Sequence, residues 1–188
     1  MPRFAANLSM LFTEMDFLDR FAAAAEAGFT GVEYLFPYDY PAEEIKARLD
    51  ANKLTQVLFN LPAGDWASGE RGIAILPERV EEFRAGVDQA IAYAKVLGNT
   101  QVNCLAGIAP RGADLGQLEM TFIENLRYAA QKLEEAGIRL VMEMINTRDI
   151  PRFFLNNTSQ AQEIRGKVGH ANLFLQYDIY HMQIMEGD

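Results

Sequence analysis

Leu140-Val141-Met142-Glu143-Met144-Ile145 and Leu173-Phe174-Leu175-Gln176-Tyr177-Asp178-Ile179-Tyr180 are two apolar, β-like runs, each interrupted near its end by a single carboxylate. An uncompensated charge in such surroundings costs several kcal/mol, so a metal, a cation or a substrate is the natural counterpart. The competing reading is structural: both acids bonded to backbone amides or to arginines. Runs of this kind, apolar rather than strictly alternating, suit strands covered on both faces of a parallel sheet. Acids late in such strands occupy the end where parallel barrels keep their chemistry.

Outward from these runs, a short β-like segment followed by an amphipathic helix repeats along the chain. Strands are predicted at residues 3–11, 31–36, 56–61, 101–106, around Glu143 and around Asp178. Helices are predicted at residues 16–27, 42–51, 78–97, 115–136 and 159–168, the last with Thr158 as a cap. Phe17, Phe21 and Ala24 mark the inner face of the first helix, and Leu118, Phe122, Leu126, Ala129 and Leu133 that of the fourth, at helical spacing. Strands alternating with helices give an α/β fold with a parallel sheet, and two architectures compete. A doubly wound dinucleotide fold lacks its signature, because Asn7-Leu8-Ser9-Met10-Leu11-Phe12 contains no glycine. A (β/α)₈ TIM barrel fits better, although only about six βα units can be counted where eight are needed.

Composition narrows the function. A chain of 188 residues with 49% hydrophobic content supports one large globular domain over residues 1–188. The net charge of −9 argues against sequence-independent nucleic-acid binding, which depends on clustered Lys and Arg. No apolar run approaches the ~18 residues of a membrane span, and the N-terminus lacks a secretory pattern. One cysteine, Cys104, excludes an internal disulfide framework and suits a reducing cytoplasm. On strand four it reads as a buried filler.

Several longer motifs resemble a known family. Arg3-Phe4-Ala5-Ala6-Asn7-Leu8-Ser9-Met10, Phe36-Pro37-Tyr38-Asp39-Tyr40, Asn60-Leu61-Pro62-Ala63-Gly64-Asp65-Trp66, Gly69-Glu70-Arg71-Gly72, Glu124-Asn125-Leu126-Arg127-Tyr128-Ala129-Ala130 and Gln176-Tyr177-Asp178-Ile179-Tyr180-His181 are similar to hydroxypyruvate isomerases, which are xylose isomerase-like TIM barrels. The sister 2-oxo-tetronate isomerases share much of this wording. The resemblance implies a barrel incomplete at its C-terminus, lacking a seventh and an eighth βα unit with two further metal ligands and a second catalytic Glu. It also implies interconversion of hydroxypyruvate and tartronate semialdehyde, two small hydroxy oxo acids, through an enediol, in glyoxylate metabolism. Glu143 becomes a proton-transfer residue, and Glu143 and Asp178 two of four ligands to a divalent cation. Oxygen ligands favour Mg²⁺, with Mn²⁺ as the alternative.

Other residues are candidates by position. His181 could orient substrate or support a metal ligand, with a partly exposed loop histidine as the rival reading. Asn7, Asn60 and Asn103 could line the pocket or serve structural hydrogen bonds. Glu70 and Arg71, on the long loop at residues 62–72, could meet the substrate carboxylate or form a solvated surface pair. Trp66 could close over the site or pin the loop. His170, in a helix-to-strand turn at the opposite barrel end, reads as ordinary. Rival functions are 2-oxo-tetronate isomerisation, another sugar-acid isomerase or epimerase, a histidine-rich three-zinc nuclease of the same fold, and an inactive barrel fragment or binding module. Unpaired edges on strands one and six leave homo-oligomerisation open.

Overall fold

Each strand pairs in parallel with its successor, so the sheet order is β1-β2-β3-β4-β5-β6. In the computed structural model, which describes residues 2–187, these are β1 (Ala5–Asn7), β2 (Gly31–Glu33), β3 (Thr55–Asn60), β4 (Gln101–Cys104), β5 (Arg139–Glu143) and β6 (Leu173–Gln176). A doubly wound sheet would reverse its order partway across; this one advances in a single direction, as a barrel wall does. Among the described residues, β1 and β6 are the two edges.

The helices that cover the sheet are α1 (Arg20–Glu26), α2 (Ala42–Ala51), α3 (Val80–Leu97), α4 (Leu115–Glu135), α5 (Thr158–Val168) and α6 (Ile179–Met185). Their inner faces follow the sequence periodicity. Phe21 and Ala24 of α1 are buried, as are Phe83, Val87, Ala90 and Ala94 of α3 and Leu118, Phe122, Leu126, Ala129 and Leu133 of α4. They pack on Val102 and Leu140 of the sheet in one continuous core. Cys104 is fully buried in that core, and burial pushes its thiol far above the ordinary range. No helix among the described residues is long and apolar enough to cross a membrane.

Three local differences from the sequence expectation have physical causes. β1 stops at Asn7 instead of running to Leu11, because the Asn7 side-chain oxygen accepts the Ser9 amide at 3.0 Å and its carbonyl accepts those of Met10 and Leu11. That local turn outcompetes the ladder. The cap of α5 is Asn157, which accepts the Gln160 amide at 2.9 Å; Thr158 is already helical and bonds Glu186 instead. β6 ends at Gln176, so Asp178 is not a strand residue: it caps α6, a helix absent from the sequence reading, by accepting the His181 amide at 3.2 Å.

The long loop after β3 is ordered by its contacts with the end of β4. Ile75 donates to the Ala106 carbonyl at 3.2 Å, and Asn125 of α4 donates to the Ala74 carbonyl at 2.9 Å. Gly72 (φ 123°) and Gly107 (φ 115°) let the two segments touch backbone to backbone; a Cβ on either would collide with the other's main chain.

Candidate active site

The last residues of five strands are polar: Asn7, Glu33, Asn60, Glu143 and Gln176. Parallel register sets them side by side, with Asn7 opposite Glu33, Asn60 opposite Asn103, and Glu143 opposite Gln176. All five line one cavity of about 430 Å³ at the C-terminal ends of the strands, together with Asp178 and His181. Trp66 comes down from the long loop to form part of its wall.

Glu143 is 8% exposed. One carboxylate oxygen accepts from Asn103 Nδ2 at 2.9 Å, and the same amide donates to Asn60 Oδ1 at 3.0 Å. Burial first, then the charge of Asp178, pushes the Glu143 carboxyl up to about 7; hydrogen bonds from Gln176 and Asn103 oppose that rise, and Glu33 adds to it. Glu33 is also raised, chiefly by burial and further by Asp178, against the bond it accepts from Asn7 at 3.1 Å. A register shift in the β2–β3 ladder falls at Val32 and Glu33, beside this acid. Among the described residues no Lys or Arg lines the cavity, so the reading in which arginines neutralise both acids does not hold for Glu143 or Asp178. Asp178 does spend one oxygen on a backbone amide, as the structural reading supposed.

One potential ligand atom each from Glu143, Asp178 and His181 lie within 4.8 Å of one another. The hydrogen-bond network assigns them different roles. Asn146 Oδ1 accepts the Asp149 amide at 2.8 Å, which turns its Nδ2 toward His181 Nδ1 at 2.8 Å. The Nδ1 atom therefore accepts, and Nε2 carries the proton in the neutral ring, 3.8 Å from Asp178 Oδ2. The imidazole stands beside the acid without bonding it; the hydrogen bond between the two residues comes from the His181 backbone amide. The donor set fits a hard divalent cation on its carboxylates: three acids face one cavity that, among the described residues, holds no lysine or arginine, and Gln176 Oε1 is buried without a partner.

The loop candidates separate. Trp66 packs edge-on against Phe36 at 5.0 Å between ring centroids, and the Arg71 guanidinium lies 4.1 Å from the Trp66 ring. Arg71 also donates to the carbonyls of Trp66 and Glu70, so it clamps the loop. Glu70 is not brought to the cavity: it pairs with Arg79 and accepts the Asp65 amide, so the solvated Glu70–Arg71 pair does not form either. Arg79 in turn also binds Glu82. His170 accepts the Asn172 amide at 3.2 Å in the turn before β6, at the far end of the strands.

Sequence reasoning missed Glu33, Gln176 and Asn146. Glu33 falls mid-run in the predicted strand at residues 31–36, where an acid reads as an outward-facing alternate. Only the early stop of β2 makes it a strand-end residue like Glu143.

A family model described as the xylose isomerase-like TIM barrel matches residues 21–188. The hydroxypyruvate isomerase of Escherichia coli (strain K12) is 58% identical over 188 residues, which span all of this chain and 73% of that protein. A 2-oxo-tetronate isomerase of Cupriavidus necator is 53% identical, again over the whole chain and 72% of its own length. A crystal structure from Brucella melitensis, described as an AP endonuclease of family 2, superposes with a TM-score of 0.97 at 50% identity, covering all of this chain and 72% of that one. From its one-directional strand order, its strand-end acids and these likenesses together, the chain belongs to the xylose isomerase-like TIM barrel family.

Proposed function

We propose that this protein is the isomerase of a small hydroxy oxo acid, interconverting hydroxypyruvate and tartronate semialdehyde by proton transfer through an enediol. The observation that carries this reading is Glu143, a buried carboxylate raised to about 7 and aimed into a cavity at the strand ends. A carboxyl poised near neutrality can accept and return a proton at working pH. In the forward direction Glu143 removes a proton from C3 of hydroxypyruvate, and the electron pair forms the C2–C3 double bond of the enediol. Protonation at C2, with transfer of the hydroxyl proton from O3 to O2, completes tartronate semialdehyde.

The surrounding residues have supporting parts. Asn103 holds Glu143 in place from the neighbouring strand, and Asn60 fixes that amide. The His181 backbone amide orients Asp178, and Trp66 shields the cavity from water. Glu143 and Asp178 would hold a Mg²⁺ or Mn²⁺ ion, which when bound supplies positive charge at the two substrate oxygens. The resemblance calls for a second catalytic Glu and two further ligands on units beyond β6. Large apolar side chains exposed near both sheet edges, Phe4 by β1 and Phe174, Tyr177 and Ile179 by β6, support such a completion of the barrel.

A second substrate has a specific point in its favour: the relative named 2-oxo-tetronate isomerase is 53% identical, and the same proton shift operates on an acid one carbon longer. Multi-zinc nuclease chemistry has none, since the chain's two histidines, His170 and His181, stand at opposite ends of β6. The deciding experiment follows solvent deuterium into C3 of hydroxypyruvate by NMR, beside a turnover assay on both acids. Wash-in reports the first proton transfer even where the return at C2 is slow. Unchanged wash-in after Glu143→Gln would discard the proposal.

A further inference from the structure

The second notable cavity, about 700 Å³, lies between the loops that follow β4 and β5. Those loops are zipped into a short antiparallel clasp. Ile108 bridges Phe153, the Ala109 amide donates to the Arg152 carbonyl at 3.0 Å, and the Phe154 amide donates to the Gly107 carbonyl at 2.9 Å. Arg111 stands two residues beyond Ala109 on one limb, and Arg152 lies on the other, so the clasp sets two exposed arginines on the wall of one cavity.

Among the described residues neither guanidinium has a hydrogen-bond or ion-pair partner, whereas Arg79 and Arg127 pair with acids. Among the described residues no acid lines this cavity. The nearest in sequence are Asp114, whose Oδ1 accepts the amides of Gly116 and Gln117 at the start of α4, and Asp149, whose Oδ2 accepts from Asn146 Nδ2 and the Tyr180 hydroxyl. The polar amides of the wall are also engaged: Asn156 Nδ2 donates to the Phe153 and Phe154 carbonyls, and Gln160 Nε2 to that of Phe154. What remains open is cationic charge beside an apolar lining of Phe153, Phe154, Pro110 and Leu115. In a chain of net charge −9 two arginines without acidic partners are a local reversal of sign. Arg152 is moreover held at φ 66°, a left-handed backbone costly for a residue with a Cβ.

We propose that this cavity is a binding site for a small organic phosphate. The dianionic head would be gripped by Arg111 and Arg152, and the apolar body would lie on Phe153, Phe154 and Leu115. Guanidinium forks match phosphate oxygens in geometry, and two of them match a dianion in charge. Because the loop from β5 to α5 starts at Glu143 and also carries Asn146, occupancy here bears on the loop that orients His181. The proposal stands independently of which acid is isomerised.

The test titrates phenyl phosphate into the ¹⁵N-labelled 188-residue protein at low salt, with inorganic phosphate and phenol as comparison ligands. Saturable shifts are expected at the amides of Gly107, Ala109, Arg152 and Phe154, with a Kd below about 10 mM and tighter than for either comparison ligand. Arg111→Gln and Arg152→Gly should each weaken binding about tenfold or more, and the double variant should abolish it. Arg152→Gly also guards against misfolding, because glycine accepts φ 66° freely and the thermal midpoint should hold or rise. An unchanged affinity in the double variant, shifts confined to the acidic cavity, or no saturable shift in the parent would each overturn the proposal.

Discussion

Two cavities share the loop between β5 and α5 as a wall, and they differ in sign and in construction. Among the described residues, the first gathers Glu33, Glu143 and Asp178 with no lysine or arginine; the second gathers Arg111 and Arg152 with no acid. Glu33 and Glu143 sit on the last residues of hydrogen-bonded strands, so they cannot swing out to water, and burial first, with the charge of Asp178 adding to it, holds both carboxyls above their ordinary range. The arginines sit on exposed loops, where a long side chain keeps its charge in water at little cost. Charge forced together on a rigid sheet therefore marks function more strongly than charge brought together on loops.

The largest expected effect tests the acidic side. Glu143→Gln should lower deuterium wash-in and turnover by about 10²–10⁴-fold, the usual contribution of a positioned general base. The same variant should gain stability. Glu143 is raised to about 7 in the fold from an ordinary 4.5. Below pH 4.5 both folded and unfolded chains hold the proton, so no penalty exists. As pH rises through that window the unfolded chain ionises first, and the penalty is complete above pH 7. Its size is on the order of 2–3 kcal/mol. With chelator present, thermal unfolding of Glu143→Gln should match the parent near pH 4.5 and exceed it at pH 8. A parent equal to the variant at both pH values would show that the acids impose no strain.

A smaller effect separates charge from capping at Asp178. Asparagine caps helices as well as aspartate, so Asp178→Asn should leave the unfolding midpoint nearly unchanged. Mn²⁺ affinity should nevertheless fall at least about tenfold, measured by titration, since a ligand charge is lost. Identical titrations would remove Asp178 from the ligand set. The smallest effect tests the cationic side in the absence of ligand: Arg152→Gly relieves a left-handed residue and should stabilise the fold by about 1 kcal/mol or less. A clear loss of stability would mean that the Arg152 side chain supports the clasp.

Much of the architecture was legible because it is written locally. The helical spacing of Leu118, Phe122, Leu126, Ala129 and Leu133 predicts the buried face of α4, and all five are buried. Glu143 stood out because no other charge interrupts its apolar run, and it does end β5. Asp178 reads from the sequence as an exceptional strand residue, since the turn that makes it a cap depends on His181 folding back onto it. Glu70 misled for a related reason: its partner is Arg79, nine residues away across a loop whose path is set by Gly72 and Gly107. Nothing local distinguishes that pairing from one with the adjacent Arg71.

By itself the sequence determined the alternation of strands and helices, the faces they bury and the presence of an acid at the end of β5, because periodicity and burial act over a few neighbouring residues. Which strand ends meet, that Glu33 joins Glu143 and Asp178, and that Arg111 and Arg152 line one cavity were decided only by the tertiary structure. Those meetings depend on parallel register and loop closure between segments tens of residues apart, and only the folded chain brings such segments within reach.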